Sequence, residues 1–219
     1  MTAKLPDKYR YIVVEGPIGA GKTSLARVMS ERVGGAALLE DPDANPFLPG
    51  FYQDRARYAL PTQLYFLFQR AKQVRTLSQP DLFAKLTVAD FMIDKDPLFA
   101  RLTLSDDEFA LYRQVYAQLK PQSPAPDLVV YLQAPTEVLT RRLRERARDS
   151  DGETPEPGAD YLREVNEAYQ HFFFHYSATP LLVVETSQFD LHSSDEALDD
   201  LIRQIRTMNR GTRYYVPRT

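Results

Sequence analysis

A chain of 219 residues, 43% of them hydrophobic and 26% charged, is long enough for one α/β domain and too short for two full ones. Its formal net charge of -3 is not the footprint of a general nucleic-acid binder, but leaves room for a small anionic ligand held by a local cationic patch. The chain has no cysteine and three histidines (His171, His175 and His192), which excludes disulfides, cysteine–zinc sites and thiol nucleophiles.

Met1–Arg10 is polar and lacks the apolar run of a signal peptide, and the longest apolar stretches, such as Leu181–Val184, are strand-sized. The expectation is a cytoplasmic protein with no membrane segment. Tyr11–Val14 is a β-branched run ending at Glu15-Gly16 and reads as a buried strand. Lys22–Arg32 has helical spacing, with Leu25, Val28 and Met29 on one side and Gly34-Gly35 as its stop. Ala36–Leu39 is a second strand candidate, and the proline-rich Asp41–Gly50 reads as loop or broken helix. Pro61 opens a helix to about Leu77, and Leu86–Ala89 is a third strand. Ser105-Asp106-Asp107-Glu108 fits a capping box before the helix Phe109–Leu119. Beyond the breaker Pro121–Pro126 come the strand Asp127–Leu132, the helix Pro135–Arg148, the polar loop Asp149–Gly158 and the helix Ala159–Tyr176. The strand Pro180–Glu185 and the helix Asp195–Met208 follow. The 149–158 loop and the tail Asn209–Thr219 are the expected weakly ordered segments. Strands alternating with helices five times predict a mostly parallel, five-stranded sheet with helices on both faces, in one domain over residues 1–219.

Gly16-Pro17-Ile18-Gly19-Ala20-Gly21-Lys22-Thr23 matches G-x-x-x-x-G-K-[ST] completely, after a strand and at the start of a helix. Glycines let backbone N–H groups turn inward around phosphate oxygens, and the helix N-terminus adds partial positive charge. Lys22 would reach the β- and γ-phosphates, and Thr23 would place a hydroxyl on magnesium, with Ser24 alongside. A bound nucleoside triphosphate is the firmest functional expectation. No Asn-Lys-x-Asp guanine-reading motif is present, which favours a small-molecule kinase over a GTPase.

The segment Ala36–Asp54 contains no Lys or Arg and four acids, Glu40, Asp41, Asp43 and Asp54. A phosphorylated acceptor would call for a cation there. A carboxylate at a strand end instead suits a neutral hydroxyl whose proton it can accept, and Glu40 stands at such an end. In the helix after Pro61, Gln63 and Arg70 share one face, and a glutamine amide can pair with a nucleobase edge. From pattern alone, two exposed polar residues on an amphipathic helix would be the favoured explanation. Five of the eight residues Arg141–Arg148 are arginine, with Arg142 and Arg146 four apart on one face. Such a cluster beside a polar loop suits a lid over residues 141–158 that closes on transferring phosphates, although a solvated, salt-bridged helix face has the same pattern.

Taken in order, these residues resemble the deoxyribonucleoside kinase family, in particular its bacterial deoxyadenosine/deoxyguanosine kinase branch. The resemblance runs from Tyr11 to about Leu191. It rests on the phosphate loop, Glu40 with Asn45-Pro-Phe-Leu48 and Phe51-Tyr52, Gln63-x-Tyr65 with Arg70, and Asp90 with Asp94-Lys-Asp-Pro-Leu-Phe-Ala100. The arginine lid, Tyr161-Leu162, Phe172-Phe-Phe174 and Thr179-Pro-Leu-Leu182 complete the set. The resemblance implies a P-loop kinase fold and magnesium-ATP as phosphate donor, a deoxynucleoside as acceptor and a homodimer. It implies Glu40 as general base for the 5′-hydroxyl, Tyr52 on the sugar 3′-hydroxyl and Gln63 on the base. Arg70 would work with an aspartate from the region of Asp94, Arg142 and Arg146 would act from the lid, and Ser187–Leu191, with Asp190, would embrace the adenine of ATP.

Two departures stand out. Many relatives carry an acidic-Arg-Ser motif after the third strand, whereas this chain has Ala89-Asp90-Phe91, with no arginine. Asp90 takes the acidic role, near magnesium or the acceptor, and the lid is the expected source of the missing charge. Relatives often place a glutamate just after the lid arginines, and here Asp149, Asp151 and Glu153 compete for that role. The alternatives are a thymidylate-type monophosphate kinase, disfavoured by the cation-free 36–54 segment, and a non-catalytic nucleotide-binding regulator.

Overall fold

The computed structural model describes residues 5–77, 86–120, 124–149, 157–188 and 194–217. Among these, six strands form one parallel sheet: β1 (Tyr11–Glu15), β2 (Ala36–Leu38), β3 (Thr87–Ala89), β4 (Leu128–Gln133), β5 (Leu181–Glu185) and β6 (Thr212–Tyr215), in the order β2-β3-β1-β4-β5-β6. The helices are α1 (Lys22–Val33), α2 (Leu48–Gln53), α3 (Arg55–Leu77), α4 (Asp96–Thr103), α5 (Asp106–Leu119), α6 (Thr136–Asp149), α7 (Ala159–Phe174) and α8 (Asp195–Arg206).

Parallel strands need both faces covered, and β1 shows how the sequence arranges this. All five of its residues are buried. Ile12 and Val14 pack with Leu25 and Met29 of α1 and Leu201 and Ile205 of α8. Tyr11 and Val13 face the other way, toward Leu67 and Ala71 of α3, Tyr112 of α5 and Val165, Tyr169 and Phe173 of α7. Helix ends follow local chemistry. Gly34 closes α1 in the left-handed region at φ 70°, and Ser105 and Glu108 form the reciprocal capping box of α5, with Glu108 accepting from Ser105 N at 2.9 Å.

Four features differ from the sequence reading. The sheet has six strands rather than five, because part of the tail expected to be weakly ordered pairs with β5, Leu181 opposite Thr212 and Val184 opposite Tyr215. Tyr215 anchors this strand, 8% exposed, with its hydroxyl 2.5 Å from Asp200 Oδ2. The long helix α3 begins at Arg55, not Pro61, which lies inside it. The turn before the proline is held by buried Ala59 and by Arg55 stacked 4.4 Å from the Tyr161 ring centroid, tertiary contacts that outweigh the usual cost of an interior proline. Helices α2 and α4 also form in stretches not assigned from sequence, α2 within and just beyond the segment read as loop or broken helix. The loop expected over 149–158 lies largely outside the described residues.

Candidate active site

The loop Gly16–Gly21 leaves β1 and enters α1 at the carboxyl edge of the sheet, where ligands bind in such folds. Its glycines are required by shape. A Cβ at Gly16 would sit 2.7 Å from the Leu132 carbonyl oxygen, and Gly19 (φ 85°) and Gly21 (φ 90°) adopt conformations that other residues resist. Pro17 O accepts from Ala20 N at 3.1 Å and from Lys22 Nζ at 3.2 Å, curling the loop around its own lysine.

Thr23 donates to Asp90 Oδ2 at 2.5 Å, and Asp90 Oδ1 accepts from the backbone N–H of Glu40 at 2.8 Å. Asp90 thereby ties the N-terminus of α1 to the end of β2. Burial pushes its carboxyl upward, and the Thr23 and Glu40 hydrogen bonds offset this only in part. Burial alone would also raise Glu40, but Arg70, Lys95 and Lys22 outweigh it and hold that carboxyl below the usual carboxylate range.

Arg70, buried on α3, makes ion pairs with Glu40 on one side and Asp96 on the other. Asp96 is 1% exposed, and burial pushes its carboxyl up to about 6 despite Arg70. Asp96 Oδ2 and Arg70 Nε are buried without a hydrogen-bond partner. The aspartate that meets Arg70 is therefore Asp96, and not Asp94, which points away and pairs with Lys120 at 2.5 Å. The two residues are separated by more than half a helical revolution, so they face different ways.

One cavity of about 1000 Å³ joins these parts, at the upper end of the range for single-ligand pockets. Residues 18–24 of the phosphate loop line it together with Glu40, Tyr52, Gln63, Arg70, Arg142 and Arg146. Tyr52 is half-buried, and burial pushes its phenol up to about 12, so it stays a neutral hydroxyl. Gln63 is 6% exposed and donates to Thr103 Oγ1 at 3.3 Å. On α6, Arg142 bonds the backbone carbonyl of Thr186 and, at 3.2 Å, its hydroxyl. Asp190 lies outside the described residues, as do Asp151 and Glu153 and the side chain of Asp149.

Sequence reasoning missed Glu15 and Lys95. Glu15 is fully buried and accepts from Gly16 N at 3.2 Å, Met92 N at 2.9 Å and the Tyr169 hydroxyl at 3.2 Å. It also pairs with Lys95 Nζ at 3.0 Å. A glutamate closing an apolar strand reads as the strand's polar end, and only the tertiary fold shows its four partners.

A hydroxyl and a carboxylate at the mouth of the loop, Thr23 and Asp90, are the hard oxygen donors that magnesium takes beside phosphate oxygens and water. Among the described residues no group of three or more His, Cys, Asp or Glu could hold a metal by itself. Nor, among the described residues, is any helix long and apolar enough to cross a membrane.

The sheet order, the loop and the cavity define a P-loop phosphotransferase. Residues 12–209 match the deoxynucleoside kinase family, and the chain belongs to it. It is 28% identical to the deoxyadenosine kinase of Lactobacillus acidophilus over 205 residues, 89% of this chain and 94% of that one. It is 35% identical to the deoxyguanosine kinase of Bacillus subtilis over 163 residues, 73% of this chain and 76% of that one. In fold it is similar to the deoxyadenosine kinase of M. mycoides solved with bound dATP, with a TM-score of 0.73 at 22% identity, over 88% of this chain and 99% of that one. The chain is thus an enzyme that phosphorylates nucleosides, and neither the monophosphate kinase nor the non-catalytic regulator is favoured.

Proposed function

We propose that this enzyme transfers the γ-phosphoryl group of ATP to the 5′-hydroxyl of a purine deoxyribonucleoside, giving the 5′-monophosphate in nucleotide salvage. The observation that carries the reading is the chain Lys22–Thr23–Asp90–Glu40–Arg70, which links the phosphate loop to Glu40 and Arg70 on the cavity wall, with Asp96 buried and paired to Arg70 behind it.

The 5′-oxygen bonds to the γ-phosphorus, its proton passes to Glu40, and the bond from that phosphorus to the bridging oxygen breaks with its electron pair leaving on ADP. Glu40 suits the base role because its neighbouring cations keep it ionised at neutral pH, and Arg70 fixes its carboxylate. The loop amides and Lys22 hold the β- and γ-phosphates. Thr23 and Asp90 would hold magnesium, which when bound neutralises charge on the phosphates. Arg142 and Arg146 serve the donor side from α6, with Asp190 beside the adenine. Tyr52 meets the sugar, and Gln63 with the Arg70–Asp96 pair reads the base. The unpartnered Asp96 Oδ2 supplies an acceptor for a base N–H. The purine preference rests on the named activities of the relatives above. The enzyme works in the cytoplasm as a homodimer, for which α3 and α5 pack together and carry exposed Phe68 and Leu111.

The test is initial rates with magnesium-ATP on deoxyadenosine, deoxyguanosine, deoxycytidine and thymidine, with adenosine and dTMP as controls. Purine deoxynucleosides turn over, and Glu40→Gln lowers kcat by about 10²- to 10⁴-fold, the range for a general base. Turnover of dTMP alone would overturn the reading.

A further inference from the structure

The two residues after Asp90 are Phe91 and Met92, both buried and apolar. No cation reaches the cavity from them. The lid arginines belong to α6, on the donor side, where Arg142 is bonded to Thr186. On the acceptor side a different cation enters. Lys95, the last residue of the 3-10 turn Ile93–Lys95 between β3 and α4, lines the cavity with Lys22, Glu40 and Arg70.

Lys95 is 1% exposed. Its ammonium lies 5.3 Å from the ring centroid of Phe99 and 5.6 Å from that of Tyr169, and it forms its ion pair with Glu15 at 3.0 Å. Glu15 is the residue immediately before the phosphate loop, so the pair fixes the ammonium relative to the loop's first amide. Among the described residues this is the one ion-pair or hydrogen-bond partner given to an ammonium with three N–H donors. Glu15 does not need the lysine to be satisfied, since its two oxygens already accept from Gly16, Met92 and Tyr169. Removing a lysine from water is costly, and one carboxylate shared with three other donors offsets that cost incompletely. The charge of Lys95 is felt at Lys22 across the cavity, where burial and then Lys95 lower the lysine's pKa. Two ammoniums facing one cavity, from the loop wall and from the acceptor wall, are a receptor for a group bearing several negative charges.

We propose that Lys95 is a second phosphate-binding cation of this enzyme, contacting the transferring phosphoryl group from the acceptor side. The assignment rests on the kinase reading above. The 5′-oxygen bonds to the γ-phosphorus, its proton goes to Glu40, and ADP departs with the electron pair of the broken bond. Lys95 lowers the energy of charge spread over the equatorial oxygens and exchanges no proton.

The experiment compares wild type, Lys95→Met and the double variant Glu15→Gln/Lys95→Met, which removes the pair together and leaves no lone buried carboxylate. Each is checked for folding by circular dichroism and thermal melting. In the folded variants kcat falls by about 10²- to 10³-fold, the loss seen when one pre-placed transition-state donor is removed. KM for the nucleoside changes by less than about threefold, because the contact belongs to the transition state rather than to ground-state binding. ADP with aluminium fluoride and nucleoside, a mimic of the transferring phosphoryl, binds the wild type tightly and the double variant no better than ADP alone. If the folded double variant keeps kcat within about threefold of wild type and still binds the mimic, Lys95 serves only the fold and the proposal falls, with the kinase reading intact. A wild type inactive on all the deoxynucleosides overturns both.

Discussion

Arg70 lies between two carboxylates, and that arrangement separates their behaviour with pH. Glu40 is held ionised by the cations around it, whereas deeper burial pushes the carboxyl of Asp96 up to about 6. As pH falls through 6, Asp96 takes up a proton and loses acceptor capacity while Glu40 keeps its charge. The expected profile is a kcat/KM for the deoxynucleoside that is flat above neutrality and declines below pH about 6, with kcat less affected. Asp96→Asn removes that inflection and lowers kcat/KM by about 10- to 100-fold, the worth of a hydrogen bond to a charged group. A profile unchanged by the substitution would place base recognition elsewhere. The sequence made this site only partly legible. The phosphate loop could be read because its turn chemistry is local, and Glu40 because it stands at a strand end, whereas the helix face of Gln63 and Arg70 fits two exposed polar residues and only the family resemblance singled them out. The partner of Arg70 could not be, because Asp94 and Asp96 share one charged run and only the backbone of the turn decides which faces inward. Lys95 sits in the same run, where it reads as one more solvated charge.

At the level of elements, local rules marked where most helices begin or end, and packing decided the rest. The capping box of α5 and the glycine stop of α1 are short-range signals that the fold keeps. The start of α3 and the existence of β6 are not short-range. Pro61 marks a helix start only if the preceding turn lacks support, and Ala59 and Arg55 supply that support. Thr212–Tyr215 has little to distinguish it from a tail until the edge of β5 offers a partner. If β6 is integral, Tyr215→Ala costs about 3 kcal/mol of stability, as for other buried aromatics cut to alanine, and urea unfolding measures it. Because two strands, β4 and β5, separate β6 from β1 and its phosphate loop, kcat stays near the wild-type value in the same variant.

Across the whole molecule the two walls of the cavity rest on very different supports. The donor wall grows from β1, which is buried on both faces and flanked by β3 and β4. The acceptor wall begins at β2, three residues long, none of them buried, and with a strand neighbour on one side only. Amide hydrogen exchange should resolve the difference. Protons on Ile12–Val14 exchange only with global unfolding, while those on Ala36–Leu38 exchange sooner through local opening. Equal protection of both strands would contradict this. The grip on the triphosphate is therefore fixed to the slowest-opening part of the chain, and the edge that presents Glu40 can shift by small amounts without loosening it. Mutational drift in which nucleoside is accepted can accumulate along that edge while the nucleotide it is phosphorylated from stays the same.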